Sequence, residues 1–323
     1  MKRAEAISLM NRLGSRKIPF LFIIDYEMNR PYIIRLDAVD NRYIMYDING
    51  VNNYTVDAKL QKKIVFTKRP VALSRYRRGF KNVMWHLRQG NTYLLNLTFP
   101  TKITTNLTLE EIYYYSRAKY KLYFKNQFVV FSPEIFITIR GNRISSHPMK
   151  GTIDASLPNA RKKLLSDRKE LAEHYTIVDL IRNDLSMVAK NVHVERFRYL
   201  DKIQTCGKDI LQVSSKIAGT LPDDYRRRIG DIIFRLLPAG SISGAPKKKT
   251  VEIIKKSEQY RRGYYTGIFG YFDGDNLDSG VMIRFIERQR ESLIYKSGGG
   301  ITAFSDMKSE YKEMIDKVYV QII

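Results

Sequence analysis

Three consecutive runs decide the fold: Tyr264-Tyr265-Thr266-Gly267-Ile268-Phe269-Gly270-Tyr271-Phe272, then Val281-Met282-Ile283-Arg284-Phe285-Ile286-Glu287, then Ser292-Leu293-Ile294-Tyr295-Lys296. Each is short, rich in aromatic and β-branched residues, and separated from the next by a polar segment, so the series predicts antiparallel hairpins. Gly298-Gly299-Gly300 closes it, and a helix is expected from about Ser309. Working outward, Pro19 to about Tyr54 alternates apolar and polar residues around Asp-Asn and Asn-Gly turn signals, which also reads as strands and hairpins. Between these ends, helical periodicity runs from Arg75 to Gln89, Leu109 to Ala118, Asp167 to Ala189, Tyr225 to Leu237 and Lys247 to Lys256. Strands are expected from Thr92 to Lys102, Phe128 to Phe131 and Ile135 to Arg140. Strands in antiparallel runs, with helices arriving between them, argue for an α+β fold, with sheets packed on one another and helices on the outside.

The chain has 323 residues, 44% of them hydrophobic, enough to bury a large core. It reads as one unit over residues 1–323, with a short N-terminal region (1–74), no repeat and no convincing linker. Met1-Lys2-Arg3-Ala4-Glu5 lacks a signal-peptide apolar run, and no apolar stretch approaches the roughly 20 residues of a membrane span. The lone cysteine, Cys206, excludes an intramolecular disulfide and fits a reducing compartment. A cytoplasmic protein that does not engage membrane is the expectation. The net charge of +23 is the compositional oddity. It could serve nucleic acid, an anionic substrate or an acidic partner. Its clusters (Arg75-Tyr76-Arg77-Arg78, Arg226-Arg227-Arg228, Lys247-Lys248-Lys249) are scattered along the chain, with no basic tail and no nucleic-acid signature. We read it as a solvated surface whose field also favours an anionic substrate, with no nucleic-acid partner.

Two Glu-x-x-Glu pairs, Glu170/Glu173 and Glu310/Glu313, lie in predicted helices, where the i,i+3 spacing puts both carboxylates on one face. If the pairs converge, their repulsion calls for a cation or raised pKa values, and carboxylate oxygens suit Mg²⁺. Alone, each pair would read as a solvated helix face. Gly298-Gly299-Gly300 and Gly240-Ser241-Ile242-Ser243-Gly244 could bring backbone N–H groups up to an anion, the second loop leading into a helix that begins at Pro246. Gly244-Ala245-Pro246-Lys247 is not a P-loop, since the Gly-Lys-[Ser/Thr] step is missing. Arg284 stands in an apolar run with no other charge until Glu287, and a buried guanidinium needs an anion, from a substrate or from an internal carboxylate.

Taken together, Met149-Lys150-Gly151-Thr152, Ile177-Val178-Asp179-Leu180-Ile181-Arg182-Asn183-Asp184-Leu185, Pro238-Ala239-Gly240-Ser241-Ile242-Ser243-Gly244-Ala245-Pro246-Lys247 and the two Glu-x-x-Glu pairs resemble the chorismate-binding enzymes. Matching segments run from about Gly90 to Val318. The resemblance implies that family's layered fold, two β-sheets packed as a sandwich flanked by helices, with chorismate as substrate and Mg²⁺ as cofactor. Glu173 and Glu313 would contact the metal, with Glu170 and Glu310 beside them. Gly151, Thr152, Ser241, Lys247, Tyr265, Arg284, Gly298, Gly299 and Gly300 would line the substrate. Lys150, where relatives that add ammonia or water at C2 carry alanine, and Glu134, 16 residues earlier in Pro133-Glu134-Ile135-Phe136, are similar to the branch that aminates chorismate at C4. There the lysine attacks C2 and an acid protonates the departing C4 hydroxyl, which needs a neutral amine, favoured by burial and a nearby Mg²⁺, and a carboxyl that keeps its proton. Gly-Ser-Ile-Ser-Gly-Ala-Pro-Lys is also closer to this branch than to the anthranilate branch, where a threonine is usual at position 241.

Three departures stand out. Ile153-Asp154-Ala155-Ser156 follows Lys-Gly-Thr where the family commonly has an arginine, and Gln212 stands where a histidine is expected. The tryptophan-pocket segment of longer relatives is unrecognisable in the short N-terminal region, so tryptophan feedback is not expected. Cys206 lies in Gln204-Thr205-Cys206-Gly207-Lys208, which does not match the Gly-x-Cys-x-Gly turn of glutamine amidotransferases. Ammonia is therefore expected from solution or from a separate glutamine amidotransferase subunit, and no pyruvate-releasing lyase domain is expected. The rival readings are anthranilate or isochorismate formation and, in a different class, a basic nucleic-acid-binding protein.

Overall fold

The computed structural model describes residues 1–55, 63–166, 168–204 and 209–320; Asp167 and Cys206 lie outside them. Eight helices are described: α1 (Arg3–Ser15), α2 (Leu73–Arg88), α3 (Leu109–Tyr115), α4 (Ala160–Ser166), α5 (Arg168–Ser186), α6 (Ile229–Leu236), α7 (Lys247–Glu258) and α8 (Met307–Asp316). The strands form two nine-stranded sheets. The first runs Met149–Asp154, Asp209–Thr220, Arg143–Ser146, Ile135–Arg140, Leu277–Val281, Ile268–Phe272, Phe20–Ile24, Tyr32–Arg35, with Lys190–Gln204 also paired to Asp209–Thr220. The second runs Gly244–Ala245, Leu94–Thr105, Ser292–Ile301, Phe285–Gln289, Phe128–Ser132, Tyr120–Phe124, Ile44–Ile48, Val51–Asn52, with Phe66–Arg69 on Leu94–Thr105. Every pairing is antiparallel, as the hairpin series requires.

The layering follows from period-2 alternation in strands buried on both faces. In Phe20–Ile24, Phe20, Phe22 and Ile24 join a core shared with α1, α5 and α6, whereas Leu21 and Ile23 face the second sheet. In Phe128–Ser132, Phe128 and Val130 face the first sheet, while Val129 and Phe131 pack with α3. Leu95, Leu97 and Phe99 meet α2, α7 and α8 on the far side of the second sheet. The order of layers is thus helices, sheet, shared core, sheet, helices.

One expected strand changes. Val281 to Glu287 is not one strand: Leu277–Val281 belongs to the first sheet and Phe285–Gln289 to the second. Arg284, at φ 51°, is where the chain turns between them. The same happens at Pro133-Glu134, between Phe128–Ser132 and Ile135–Arg140. The crossings are neighbours, with Val281 N donating to Glu134 O at 3.0 Å and Phe131 N to Arg284 O at 3.1 Å. The long hairpin Lys190–Gln204/Asp209–Thr220 and the helices α1 and α4 also go beyond the sequence reading. Residues 1–74 supply α1 and strands to both sheets. None of the helices among the described residues is long and apolar enough to cross a membrane.

Candidate active site

Where the two crossings part the sheets, a cleft of about 730 Å³ opens. Its lining includes Glu134, Lys150, Gly151, Thr152, Glu170, Glu173, Ser241, Tyr265, Arg284, Gly298, Gly299, Gly300, Glu310 and Glu313. All were singled out in the sequence, yet they come from both sheets, two helices and a loop.

Lys150 rides on Met149–Asp154, paired with Val213, and the register breaks between Lys150 and Thr152. Gly151 occupies that break at φ 71°, a left-handed conformation that suits glycine. A Cβ there would stand 3.1 Å from Glu170 Oε2, so the missing side chain lets the strand close on α5. Lys150 Nζ lies 3.8 Å from Glu173 Oε2, within Coulombic reach but beyond a hydrogen bond. Helix α5 is tied down next to these carboxylates by His174, whose Nε2 is 2.6 Å from Ser215 Oγ. Burial pushes that imidazole down to about 4, so it stays neutral.

On the opposite wall, Asp306 caps α8 by accepting from Ser309 N, and the helix presents Glu310 and Glu313. Glu310 Oε1 accepts from Ser305 Oγ at 2.6 Å. Glu313 Oε1 pairs with Lys317 Nζ at 2.7 Å, and Lys317 also donates to Gly298 O at 3.0 Å. The triple glycine pairs with Asn96, Leu97 and Thr98. A Cβ at Gly298 would meet Leu97 O at 2.2 Å, so only glycine fits. A Cβ at Gly299 would be 3.4 Å from Glu310 Oε2 and 3.5 Å from Glu313 Oε1, which places both carboxylates over that strand.

Each Glu-x-x-Glu pair therefore has one member beside a lysine, which offsets the repulsion the sequence predicts. Both pairs face one cleft, but among the described residues no three His, Cys, Asp or Glu side chains form a metal-ligating group. Their hard carboxylate oxygens are the donors Mg²⁺ takes, so the residues fit such an ion chemically.

Glu134 sits at the crossing and accepts a hydrogen bond from Ser241 Oγ. Burial raises its pKa, while Ser241, Lys150 and Lys317 pull it down. The balance is upward, toward a carboxyl that keeps its proton. Arg284 has no carboxylate partner among the described residues. It donates to Lys317 O at 2.8 Å and lies 4.8 Å from the Tyr319 ring centroid. Tyr265 is buried, which raises its phenol pKa.

One predicted residue is displaced. Lys247 does not line the cleft: its Nζ donates to Asp184 Oδ2 at 2.7 Å and to Leu236 O at 2.8 Å. The carboxylate of Asp184, in the Ile177–Leu185 motif, outcompetes the cleft for it. The pair secures the turn that carries Ser241. Conversely, Lys317, Asn96, Gln212 and Tyr295 line the cleft and were not assigned to it. Lys317 could have been found four residues after Glu313, on the same helix face. Gln212 stands in the sequence only as a departure from a pattern; its Oε1, like Asn96 Oδ1, is buried without a hydrogen-bond partner among the described residues.

Comparison with known proteins agrees with this geometry. The family model described as chorismate binding enzyme matches residues 26–322. A Haemophilus influenzae protein named as an uncharacterized PabA-like protein is 51% identical over 98% of this chain and 96% of its own length. Aminodeoxychorismate synthase component 1 of Bacillus subtilis is 29% identical over 87% of this chain and 66% of its length. Among solved structures, the menaquinone-specific isochorismate synthase MenF of Escherichia coli superposes with a TM-score of 0.76 at 13% identity, covering 98% of this chain and 81% of that one. A Bacillus anthracis structure titled as a 2,3-dihydroxybenzoate-specific isochorismate synthase gives 0.72 at 18% identity, covering 98% and 86%. These two likenesses speak to the fold. With the family model spanning nearly the whole chain and its motifs gathered in one cleft, this protein belongs to the chorismate-binding enzyme family.

Proposed function

We propose that the protein is an aminodeoxychorismate synthase component, converting chorismate and ammonia into 4-amino-4-deoxychorismate for p-aminobenzoate and folate synthesis. The observation that carries this reading is a lysine, Lys150, in the cleft beside Glu173, with a protonatable Glu134 on the same cleft. Lys150 Nζ attacks C2 of the ring, both ring double bonds shift, and the C4 hydroxyl leaves as water after taking a proton from Glu134. Ammonia then attacks C4, both double bonds shift back, the Lys150 amine is expelled from C2, and the proton shed by the new amine returns to Glu134. The net change is chorismate plus ammonia to aminodeoxychorismate plus water. Arg284 and the Gly298–Gly300 strand bind carboxylate, and Tyr265 orients it. Thr152 and Ser241 offer hydroxyls to the ring substituents. Glu173 and Glu313, with Glu170 and Glu310 beside them, would hold Mg²⁺, which when bound supplies positive charge for the ring carboxylate. Ammonia comes from a separate glutamine amidotransferase subunit, in keeping with the PabA-like name of the relative, and the reaction is cytoplasmic.

Mass spectrometry of products from chorismate, Mg²⁺ and excess ammonium tests this reading, with Lys150→Ala in parallel. Aminodeoxychorismate from the wild type, lost in the variant, is the expected result. Anthranilate or isochorismate would overturn the branch assignment.

A further inference from the structure

Helices α2 and α7 pack side by side on the outer face of the second sheet, away from the cleft. This brings the Arg75-Tyr76-Arg77-Arg78 cluster of α2 next to the last turn of α7, which carries Lys256 and lies far away in sequence. Between them is a cavity of about 180 Å³ whose lining includes Arg75, Arg78, Asn82, Lys256 and Gln259. Its floor is well defined. A Cβ on Gly79 would stand 2.9 Å from Ser257 O, so the glycine lets the helices close, and Asn82 Nδ2 donates to Ser257 Oγ at 2.8 Å. The Arg75 guanidinium is steadied over Phe99, 5.9 Å from the ring centroid.

The charges around this cavity are uncompensated. Arg75, Arg78 and Lys256 pair with no carboxylate among the described residues. Glu258 borders the cavity, but its Oε1 accepts from Thr98 N at 2.8 Å and Arg262 Nη2 at 2.6 Å, and its Oε2 from Arg262 Nε at 3.0 Å. That carboxylate is committed to the interior. Glu252 on α7 pairs instead with Lys249, at 3.6 Å. In addition, α2 has no acidic residue in its first turn and no side-chain cap, so its early arginines add charge to the positive end of the helix dipole. Like charges gathered around a concave polar space are stabilised by a bound anion.

We propose that this cavity is a second ligand site, taking a small phosphate-type oxyanion independently of the cleft. A space of about 180 Å³ equals roughly six waters at about 30 Å³ each, enough for a phosphate with one small substituent. Two arginine forks and an ammonium supply the charge-assisted donors such a group needs.

Calorimetric titration of the full chain with inorganic phosphate, and separately with methyl phosphate, at constant ionic strength tests it. The expected result is saturable one-to-one binding of at least one of them, weakened at least about tenfold in Arg78→Gln/Lys256→Gln. Both residues are exposed, so the fold should survive their loss. The control is Arg88→Gln, an exposed cation on α2 outside the cavity lining, which should bind as wild type. Tighter binding of methyl phosphate assigns a phosphate ester, and tighter inorganic phosphate the free ion. Absence of saturable binding overturns the site. Equal weakening by Arg88→Gln also overturns it, as the signature of a diffuse basic surface. Chorismate turnover should not change in the double variant, which keeps this test separate from that of the proposed reaction.

Discussion

Lys150 Nζ stands 3.8 Å from Glu173 Oε2 inside the cleft, whereas Lys247 Nζ is held 2.7 Å from Asp184 Oδ2 and 2.8 Å from Leu236 O outside it. Both lysines belong to motifs that point to substrate, and both have acidic company. What separates them is how closely that company binds. Two short hydrogen bonds orient the Lys247 ammonium, and using it elsewhere would leave Asp184 unpaired in a mostly buried position. At 3.8 Å, Glu173 attracts Lys150 without holding its N–H groups in one direction. A reactive amine must be able to turn toward a ligand, and a structural one must not.

The strongest break of this comparison is Lys150→Ala. We expect chorismate amination to fall by at least about 10⁴-fold, as for loss of a nucleophile, with little change in thermal stability. Turnover within tenfold of wild type would make Lys150 no more catalytic than Lys247. Next comes Glu134→Gln, with an expected loss of roughly 10²- to 10³-fold in kcat. Because burial raises the pKa of Glu134, its acid form persists to higher pH, and kcat should decline as pH rises through that value. Ser241→Ala removes a hydrogen bond that favours the carboxylate, so the decline should move to higher pH. A pH–rate profile unaltered by Ser241→Ala would separate Glu134 from the proton transfer.

Lys247→Met tests the other arm. Stability in urea should drop by about 3 kcal/mol, and adding Asp184→Asn should restore much of it, because the cost comes from the orphaned carboxylate. A loss of turnover per folded molecule as large as that of Lys150→Ala would erase the distinction. The smallest effect concerns His174, near Lys150. Its pKa falls from 6.5 to about 4 on folding, so the neutral ring is favoured in the native state. The associated stability is fully present above pH 6.5 and is lost as pH falls toward 4. At pH 5.5 the loss is about 1 kcal/mol. His174→Gln should flatten this part of the stability-versus-pH curve, while His147, also pushed down to about 4, leaves a residual slope.

Much of the architecture was legible because the period-2 and 3.6-residue patterns are local. The predicted helix from Arg75 to Gln89 is α2 at Leu73–Arg88, and that from Lys247 to Lys256 is α7 at Lys247–Glu258. Helix α1 was missed because only Ala6, Met10, Leu13 and Gly14 are buried, a thin stripe among polar residues. Val281 to Glu287 read as one strand because apolar residues continue through Ile283 and on past Arg284. Nothing local in that run says that its two halves pair with different sheets.

The sequence by itself determined the family's motifs, their order, the shared helix face of each Glu-x-x-Glu pair and a lysine at position 150, since these depend on residue identity and short-range geometry. Only the tertiary structure decided that Glu134 and Arg284 lie at adjoining crossings between the sheets, and that Asp184 claims Lys247. It also decided that Arg75 and Arg78 of α2 and Lys256 of α7, far apart in sequence, border one cavity. Such outcomes turn on which surfaces bury against each other and which charges find partners, and both depend on residues distant in the chain.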